Sequence, residues 1–288
     1  MRARVLSALG AALVALVGCS EPAAPRPRPA PEPLRVPEAT FSFLAIGDFG
    51  TGAAIEDAVA AGARAWAEAS ATEAVITTGD NVYPDGSPAY FGEAWAEPYG
   101  WVADEGIDVV ASLGNHDVHH EDGRAVMELL AMPSRYYSYV EGDAEVFVLD
   151  STDPGDSEQL AWFESALARS GAAWRIAVFH HPAYTCGRYS PEPTVRARWA
   201  PLFRSHDVDL VLSGHDHNYQ RFSDEGGVTY VVTGGAGAGL YEVDECPGLT
   251  AHDDEKHHFL VIEGSAGELR AKVVALDGSV LDEFSLPR

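Results

Sequence analysis

Five short polar clusters along the chain carry side chains that are suited to binding metal ions. In chain order they are residues 47–50, 79–83, 114–117, 180–182 and 214–217. Together they offer carboxylates, an amide oxygen, imidazoles and a phenol, but no thiol. This set suits iron, zinc or manganese and does not suit copper(I) or an iron–sulfur cluster.

The spacing within the last cluster indicates two metal ions rather than one. A single residue separates His215 from His217. In an extended segment both side chains therefore point to the same side, with Cα atoms about 7 Å apart, and two neighbouring ions could take one each. One Gly-Asp pair or one histidine alone would be a weak signal, but five such clusters in one chain favour a two-metal site.

Each cluster begins where an apolar run ends, which is typical of buried strands. The predicted strands are residues 41–47, 74–79, 109–114, 146–150, 176–180 and 208–214. Helices are predicted over residues 53–70, 156–167 and 194–205, and a β-rich tail over 228–233, 258–263, 269–276 and 279–284. This mixture predicts an α/β fold, a four-layer sandwich of two mixed β-sheets flanked by helices. We expect the metal site at the carboxyl ends of the strands.

Composition and charge exclude several classes of protein. With 46% hydrophobic residues, the chain is neither disordered throughout nor a disulfide-dense scaffold. Its 44 acidic and 19 basic residues give a formal charge of −25. Nucleic acids and anionic bilayers attract clustered lysine and arginine, so neither is expected as a partner.

The amino terminus has the features of an export signal. Arg2 and Arg4 precede an apolar run over residues 5–18 that is too short to span a bilayer. Cys19, directly after this run, resembles the lipidated cysteine of the bacterial lipobox. We therefore predict a signal peptide over residues 1–18 and lipidation of Cys19; the alternative is an ordinary signal peptide that carries a cysteine.

A proline-rich tether over residues 19–37 is predicted to follow, and residues 38–288 form the folded domain. Seven of the last 18 residues of the tether are prolines, which favour extended polyproline II. The predicted location is the bacterial cell envelope, with the outer membrane favoured by Ser20, and the lipid would be the only membrane attachment. In that oxidising compartment Cys186 and Cys246 form either a disulfide or two free thiols, with the disulfide favoured.

The clusters resemble those of the calcineurin-like metallophosphoesterases, over about residues 40–285. Most members have a histidine two residues after the first aspartate, where this chain has Gly50. The purple acid phosphatases instead have a tyrosine three residues after the bridging aspartate, which Asp80 and Tyr83 match. The run Gly-His-Asp-His-Asn at residues 214–218 is similar to that of the small, single-domain, tartrate-resistant branch.

This resemblance implies seven ligands shared between two metal ions. One ion would be held by Asp48, Asp80, Tyr83 and His217, and the other by Asp80, Asn115, His180 and His215. The first set contains a phenol and two carboxylates, which suit Fe(III), whereas the second suits Fe(II), zinc or manganese. The family ligand lies two residues before the proline of the fourth cluster, which favours His180 over His181 as the ligand.

The implied reaction is hydrolysis of a small phosphoric monoester by a metal-activated hydroxide. His116 resembles the family histidine that faces the substrate, and Asp117 either accepts a hydrogen bond from it or is a turn residue. Family members usually carry a second substrate-side histidine in the loop that here runs from residue 183 to 189. Because that histidine is absent, His181, Arg188 and Tyr189 are the candidate substrate contacts.

Two other functions fit the same residues. One is a phosphodiesterase or nucleotidase that uses two divalent ions without Fe(III). The other is a non-catalytic surface lipoprotein that binds phosphate or metal. The sequence leaves the oligomeric state open.

Overall fold

Two β-sheets packed face to face form the centre of the molecule. The computed structural model describes residues 32–223 and 226–288. The predicted signal peptide, Cys19 and the tether up to residue 31 lie outside the described residues, so these predictions remain predictions.

Strands and helices alternate along most of the chain, and among the described residues only strands follow the last helix. The strands are β1 (Phe41–Ile46), β2 (Ala74–Thr77), β3 (Asp108–Ala111), β4 (Tyr137–Glu141), β5 (Ala144–Val148), β6 (Trp174–Val178), β7 (Leu210–Ser213), β8 (Tyr219–Ser223), β9 (Thr229–Thr233), β10 (Leu249–Asp253), β11 (His258–Ser265), β12 (Glu268–Ala275) and β13 (Val280–Pro287). The α-helices are α1 (Ala54–Ala69), α2 (Glu97–Tyr99), α3 (Trp101–Asp104), α4 (Arg124–Leu129), α5 (Ser157–Arg169) and α6 (Ala200–Ser205). Short 3-10 or π-helical turns lie at Pro88–Tyr90, Gly92–Ala96, Asp117–His119, Glu121–Gly123 and Val195–Trp199.

Both sheets are mixed. The first has the strand order β13-β12-β11-β1-β2-β3, and the second has the order β10-β8-β9-β7-β6-β5-β4. Parallel pairs join β1, β2 and β3 in the first sheet, and β5, β6, β7 and β9 in the second. The carboxyl ends of these parallel strands meet at one edge of each sheet, where the polar clusters begin.

The central strands are buried on both faces, which is why they read as almost continuous apolar runs. In β6, Trp174, Ile176 and Val178 point into the core between the two sheets. Ala177 and Phe179 have the opposite orientation and pack under the helices of the second sheet. Each central strand therefore contributes to two layers of the core.

Helices cover the outer face of each sheet. Trp66 and other residues of α1 pack on the first sheet, while Phe163 of α5 and Phe203 of α6 pack on the second. The result is a four-layer sandwich, and the fold class predicted from the sequence is confirmed.

The predicted helices match the observed ones closely, but three strands were missed. Asp156 caps α5 as expected, since its side chain accepts a hydrogen bond from the Glu158 N–H at 2.9 Å. The missed strands are β4, β8 and β10. All three strands pair antiparallel with a neighbour, and β4 and β10 are half-exposed edge strands. Their sequences therefore lack the apolar run on which the prediction depended.

The last residues of the predicted tether lie against the domain. Leu34 and Val36 are buried, and Lys272 Nζ donates a hydrogen bond to the Glu32 carbonyl at 2.8 Å. Packing therefore extends to the amino-terminal side of residue 38. Within the described ranges no helix has the length and apolar character needed to cross a bilayer.

A buried carboxyl group of α1 anchors the loop that follows β1. Glu56 is fully buried, and its Oε2 accepts hydrogen bonds from the Thr51 N–H, the Thr51 hydroxyl and the Gly52 N–H at 2.8, 3.2 and 2.8 Å. Burial raises the pKa of Glu56 to about 8, although these hydrogen bonds oppose the shift. The loop that carries Asp48 is thus tied to the first turn of α1.

We predict that Glu56→Gln flattens the pH dependence of folding stability. Between pH 4.5 and about 8 the folded state holds a proton on Glu56 that the unfolded chain has lost. Rising pH through this window therefore lowers the free energy of unfolding of the parent, and the substitution removes that slope. Urea denaturation at several pH values from 5 to 8 measures it, with the exposed Glu68→Gln in the same helix as the control. A Glu56→Gln variant that keeps the parental slope would contradict the assignment.

Candidate metal centre

The five polar clusters converge at the carboxyl ends of five parallel strands. Asp48 follows β1, Asp80 and Tyr83 follow β2, and Asn115 follows β3. His180 follows β6 in the second sheet, and the pair His215 and His217 follows β7. The structure therefore brings together all seven side chains that the sequence predicts as metal ligands.

Three of these residues hold a backbone conformation that is unfavourable for residues other than glycine. The φ angles are 55° at Asp48, 52° at Asp80 and 71° at His215. Such conformations cost about 1–3 kcal/mol each and persist where the surrounding structure enforces them, often at functional sites. The glycine before His215 is required for space, since a Cβ on Gly214 would lie 2.4 Å from Asp48 Oδ2.

One group of donor atoms surrounds a single point. Tyr83 Oη lies 3.1 Å from Asp80 Oδ2, 3.5 Å from Asp48 Oδ1 and 3.2 Å from His217 Nε2. His217 Nε2 lies 3.4 Å from Asp48 Oδ1. Ligand bonds of about 2.0–2.2 Å place the ligands of one ion about 3.0–3.5 Å apart, so these four atoms fit one metal ion.

A second group shares one atom with the first. His180 Nε2 lies 3.3 Å from Asp80 Oδ2, 3.1 Å from Asn115 Oδ1 and 3.2 Å from His215 Nδ1. Asp80 Oδ2 thus belongs to both groups. A carboxylate oxygen in this position can bridge two neighbouring ions.

Hydrogen bonds on the far side of two imidazoles leave the inward nitrogen free to bind a metal. His180 Nδ1 lies 2.9 Å from the Thr78 carbonyl, and His217 Nδ1 lies 2.8 Å from the Gly239 carbonyl. A carbonyl can only accept, so Nδ1 carries the proton of the neutral ring and Nε2 is the nitrogen that can bind a metal. Metal-binding histidines are oriented in this way.

The charges at the centre call for a cation. Asp48 and Asp80 are 0% and 1% exposed, and no ion pair of the described residues joins either to a lysine or arginine. Burial raises the pKa of the Tyr83 phenol, and the two carboxylates raise it further. Burial lowers the pKa of His180, but Asp80 and Asp48 outweigh it and raise the pKa to about 10. Metal ions would supply the positive charge that these groups lack.

Comparison with known proteins identifies the family. Over residues 41–219 the chain matches the calcineurin-like phosphoesterases. The chain belongs to this family. Its relatives include purple acid phosphatase 17 of Arabidopsis thaliana, with 27% identity over 73% of this chain and 72% of the relative. They also include tartrate-resistant acid phosphatase type 5 of Rattus norvegicus, with 25% identity over 88% of this chain and 92% of the relative.

Solved structures share the fold of this phosphoesterase. GAP50, the anchor in the inner membrane complex of Plasmodium, has 17% identity and a TM-score of 0.77 over 87% of this chain and 89% of its own. Purple acid phosphatase PPD1 from yellow lupin seeds has 18% identity and a TM-score of 0.69 over 90% of this chain and 55% of its own. Family and relatives together establish a metal-dependent phosphatase, and the family implies a pair of metal ions.

His116 lies at the edge of the metal centre of this phosphoesterase. Its N–H donates to Asp80 Oδ1 at 2.8 Å, and its ring Nδ1 donates to the Pro84 carbonyl at 2.6 Å. The ring packs on Tyr83 with centroids 4.3 Å apart. His116 Nε2 is thereby left available to a substrate.

The alternative role expected for Asp117, as a partner of the His116 ring, is corrected by the structure. Asp117 is fully buried. Its carboxyl group accepts four hydrogen bonds of 2.8–3.0 Å, from the backbone N–H groups of Gly114, Val82 and Asn81 and from the side-chain amide of Asn81. Among the described contacts of Asp117 none involves the imidazole of His116. Asp117 therefore positions the two ligand loops and does not touch the reaction site.

The other predicted substrate contacts lie at the rim of the metal centre. His181 Nδ1 lies 3.0 Å from Ser151 Oγ, and burial and the neighbouring His180 lower the His181 pKa to about 4. Arg188 and Tyr189 are exposed at the end of the same loop. In the structure Cys186 and Cys246, the predicted disulfide pair, are joined by a disulfide bond.

Sequence reasoning missed three residues that support the site. Asp216 accepts hydrogen bonds from the segment of residues 185–189. Its position between His215 and His217 was a usable signal, because successive side chains of an extended segment point to opposite sides. The side chain of Asp216 must therefore point away from the donor groups. Ser151 and Tyr241 gave no such signal, since their contacts with the histidines join distant parts of the chain.

We predict that Asp117→Asn destabilises the fold and depletes the metals. The amide would place an NH2 group against backbone donors, and hydrogen bonds to a buried charged group contribute about 1.5–3 kcal/mol each. We expect the free energy of unfolding to fall by about 3 kcal/mol in urea denaturation and the metal-to-protein ratio to fall by elemental analysis. The exposed Asp104→Asn serves as the control. Loss of turnover with parental stability and metal content would instead support a role next to His116.

Proposed function

We propose that this phosphatase hydrolyses phosphoric monoesters with two metal ions, one of them Fe(III). The observation that carries the proposal is the position of Asp80 Oδ2, 3.1 Å from Tyr83 Oη and 3.3 Å from His180 Nε2. One oxygen thus belongs to an oxygen-rich group and to an imidazole-rich group at the same time. The proposed ligands are Asp48, Asp80, Tyr83 and His217 for Fe(III), and Asp80, Asn115, His180 and His215 for Fe(II), zinc or manganese.

The chemistry of the donors supports this division. A phenolate and two carboxylates are hard anionic ligands, which a trivalent ion favours, and together they offset its charge. Asn115, His180 and His215 are neutral donors, so an ion held by them and the shared carboxylate stays electrophilic. Divalent iron, zinc or manganese is suited to that position.

When bound, such a pair of ions lowers the pKa of a coordinated water and offsets charge on the phosphate oxygens. The residues of the chain do the rest. The Pro84 carbonyl fixes the orientation of the His116 ring, so that Nε2 can donate a proton to the leaving oxygen. Arg188, Tyr189 and His181 lie at the rim, where they can contact the phosphate or the leaving group.

The relatives described above are acid phosphatases, which supports a monoester as substrate. Absorption and turnover measurements distinguish this function from two alternatives. A phosphodiesterase or nucleotidase with two divalent ions would show no Fe(III) absorption, and a binding protein would hold metal without turnover.

We also propose that the protein is exported and anchored by a lipid on Cys19. The apolar run before Cys19 supports export. The disulfide between Cys186 and Cys246 supports an oxidising compartment outside the cytoplasm.

Binding of Tyr83 to Fe(III) would give the protein a colour. The purified, metal-loaded protein should absorb broadly in the middle of the visible range, because a phenolate bound to Fe(III) transfers charge to it. Tyr83→Phe should bleach this band and retain the ring packing on His116. Elemental analysis and a visible spectrum measure both, beside turnover of para-nitrophenyl phosphate and bis-para-nitrophenyl phosphate. A colourless parent that prefers the diester would favour the phosphodiesterase.

Proton donation by His116 would make its importance depend on the leaving group. If its Nε2 protonates the leaving oxygen, His116→Gln should lower kcat about 100-fold for an alkyl phosphate and much less for para-nitrophenyl phosphate, whose leaving group needs little help. The control is His119→Gln, an exposed histidine whose ring lies 5.7 Å from that of His116. Equal losses on both substrates would exclude proton donation by His116.

A further inference from the structure

Two segments joined by a disulfide cover one side of the metal centre. Residues 185–189 and 241–246, here called the disulfide arch, are joined by the Cys186–Cys246 bond. The Asp244 N–H also donates to the Cys186 carbonyl at 2.8 Å. The two segments are therefore held as one unit.

Each segment places a tyrosine ring flat against one imidazole of the metal centre. The rings of Tyr189 and His215 stack with centroids 4.1 Å apart and an interplanar angle of 24°. The rings of Tyr241 and His217 stack at 4.2 Å and 15°. Since His217 belongs to the first donor group and His215 to the second, the arch supports one ligand of each proposed ion.

The two tyrosines also contact each other. Their rings meet edge to face with centroids 5.9 Å apart and an interplanar angle of 75°. The Arg188 guanidinium lies 4.7 Å from the centre of the Tyr241 ring. The aromatic pair is thus a connected structure, and displacement of one ring would disturb the other.

Hydrogen bonds join the arch to residues 215–217, the segment that carries both histidines. Asp216 lies between the two histidines, and its Oδ1 accepts a hydrogen bond from the Tyr189 N–H at 3.1 Å. The Tyr241 N–H donates to the His217 carbonyl at 2.9 Å. Both tyrosines are therefore fixed relative to the backbone of the imidazoles that they cover.

We propose that the disulfide arch is a metal-retention device in which Tyr189 and Tyr241 are positioning residues for His215 and His217. An imidazole bound to a metal must keep its ring orientation, and neighbours that fix it change metal affinity by about 10–100-fold. A stacked ring blocks rotation of the imidazole, and the disulfide keeps the stacked rings in place. The inference rests on the metal ligands proposed above.

The test measures zinc release from the protein loaded with Zn²⁺ at both sites, after addition of a chromogenic chelator. We expect Tyr241→Leu and Tyr189→Leu each to release one of the two zinc ions at least 10-fold faster than the parent. Tyr241→Phe and Tyr189→Phe keep the stacked ring and should release zinc at the parental rate. Tyr184→Leu removes a tyrosine ring that packs on Tyr230 instead of on a histidine, and it controls for loss of stability alone.

The double variant Cys186→Ser/Cys246→Ser tests the role of the disulfide. If this variant fails to fold, the two leucine variants still test the proposal. The folded double variant should release both zinc ions faster. Parental release from both leucine variants, or release as fast from Tyr184→Leu, would overturn the proposal. These results differ from failure of the proposed function, in which the parent itself would bind no metal pair or would not hydrolyse para-nitrophenyl phosphate.

Discussion

Two buried carboxylates, which in the described residues form no ion pair with lysine or arginine, are the constraint around which this structure is built. Asp48 and Asp80 are 0% and 1% exposed, and they lie close enough to share the Tyr83 hydroxyl. In a low-dielectric interior such charges are very costly unless cations compensate them. The left-handed backbone at both residues adds to this cost. The surrounding sandwich must therefore be rigid enough to hold an arrangement that is unfavourable without metal.

Three other buried carboxyl groups hold the loops around the centre. Glu56 holds the loop after Asp48, Asp117 joins the two loops that carry Asp80 and Asn115, and Asp216 holds the arch. Each accepts hydrogen bonds from backbone N–H groups of a loop that would otherwise move. A carboxyl group suits this role because its two oxygens can accept several such hydrogen bonds at once.

The sequence was informative about the centre and much less so about its surroundings. The ligands could be predicted because parallel strands present their carboxyl ends at one edge, so that clusters distant in sequence meet. Asp117 was ambiguous because its partners, Asn81 and Val82, lie about 35 residues away in another loop. Tyr241 was missed for the same reason, since only the folded chain places its ring on His217. The strand β10 was missed because its half-exposed residues gave no apolar run.

The glycine at position 50 and the tyrosine at position 83 are physically linked. A Cβ at Gly50 would lie 1.8 Å from the Asn81 carbonyl oxygen, so no side chain fits where most metallophosphoesterases have a histidine. The absence of a side chain lets the two loops touch, and the Tyr83 N–H donates to the Gly50 carbonyl at 2.7 Å. This contact brings residue 83 close enough for its phenol to reach Asp48 and Asp80. A side chain at position 50 would separate the loops and withdraw the phenol, so an imidazole at that position and the phenol of residue 83 exclude each other at the proposed ligand site.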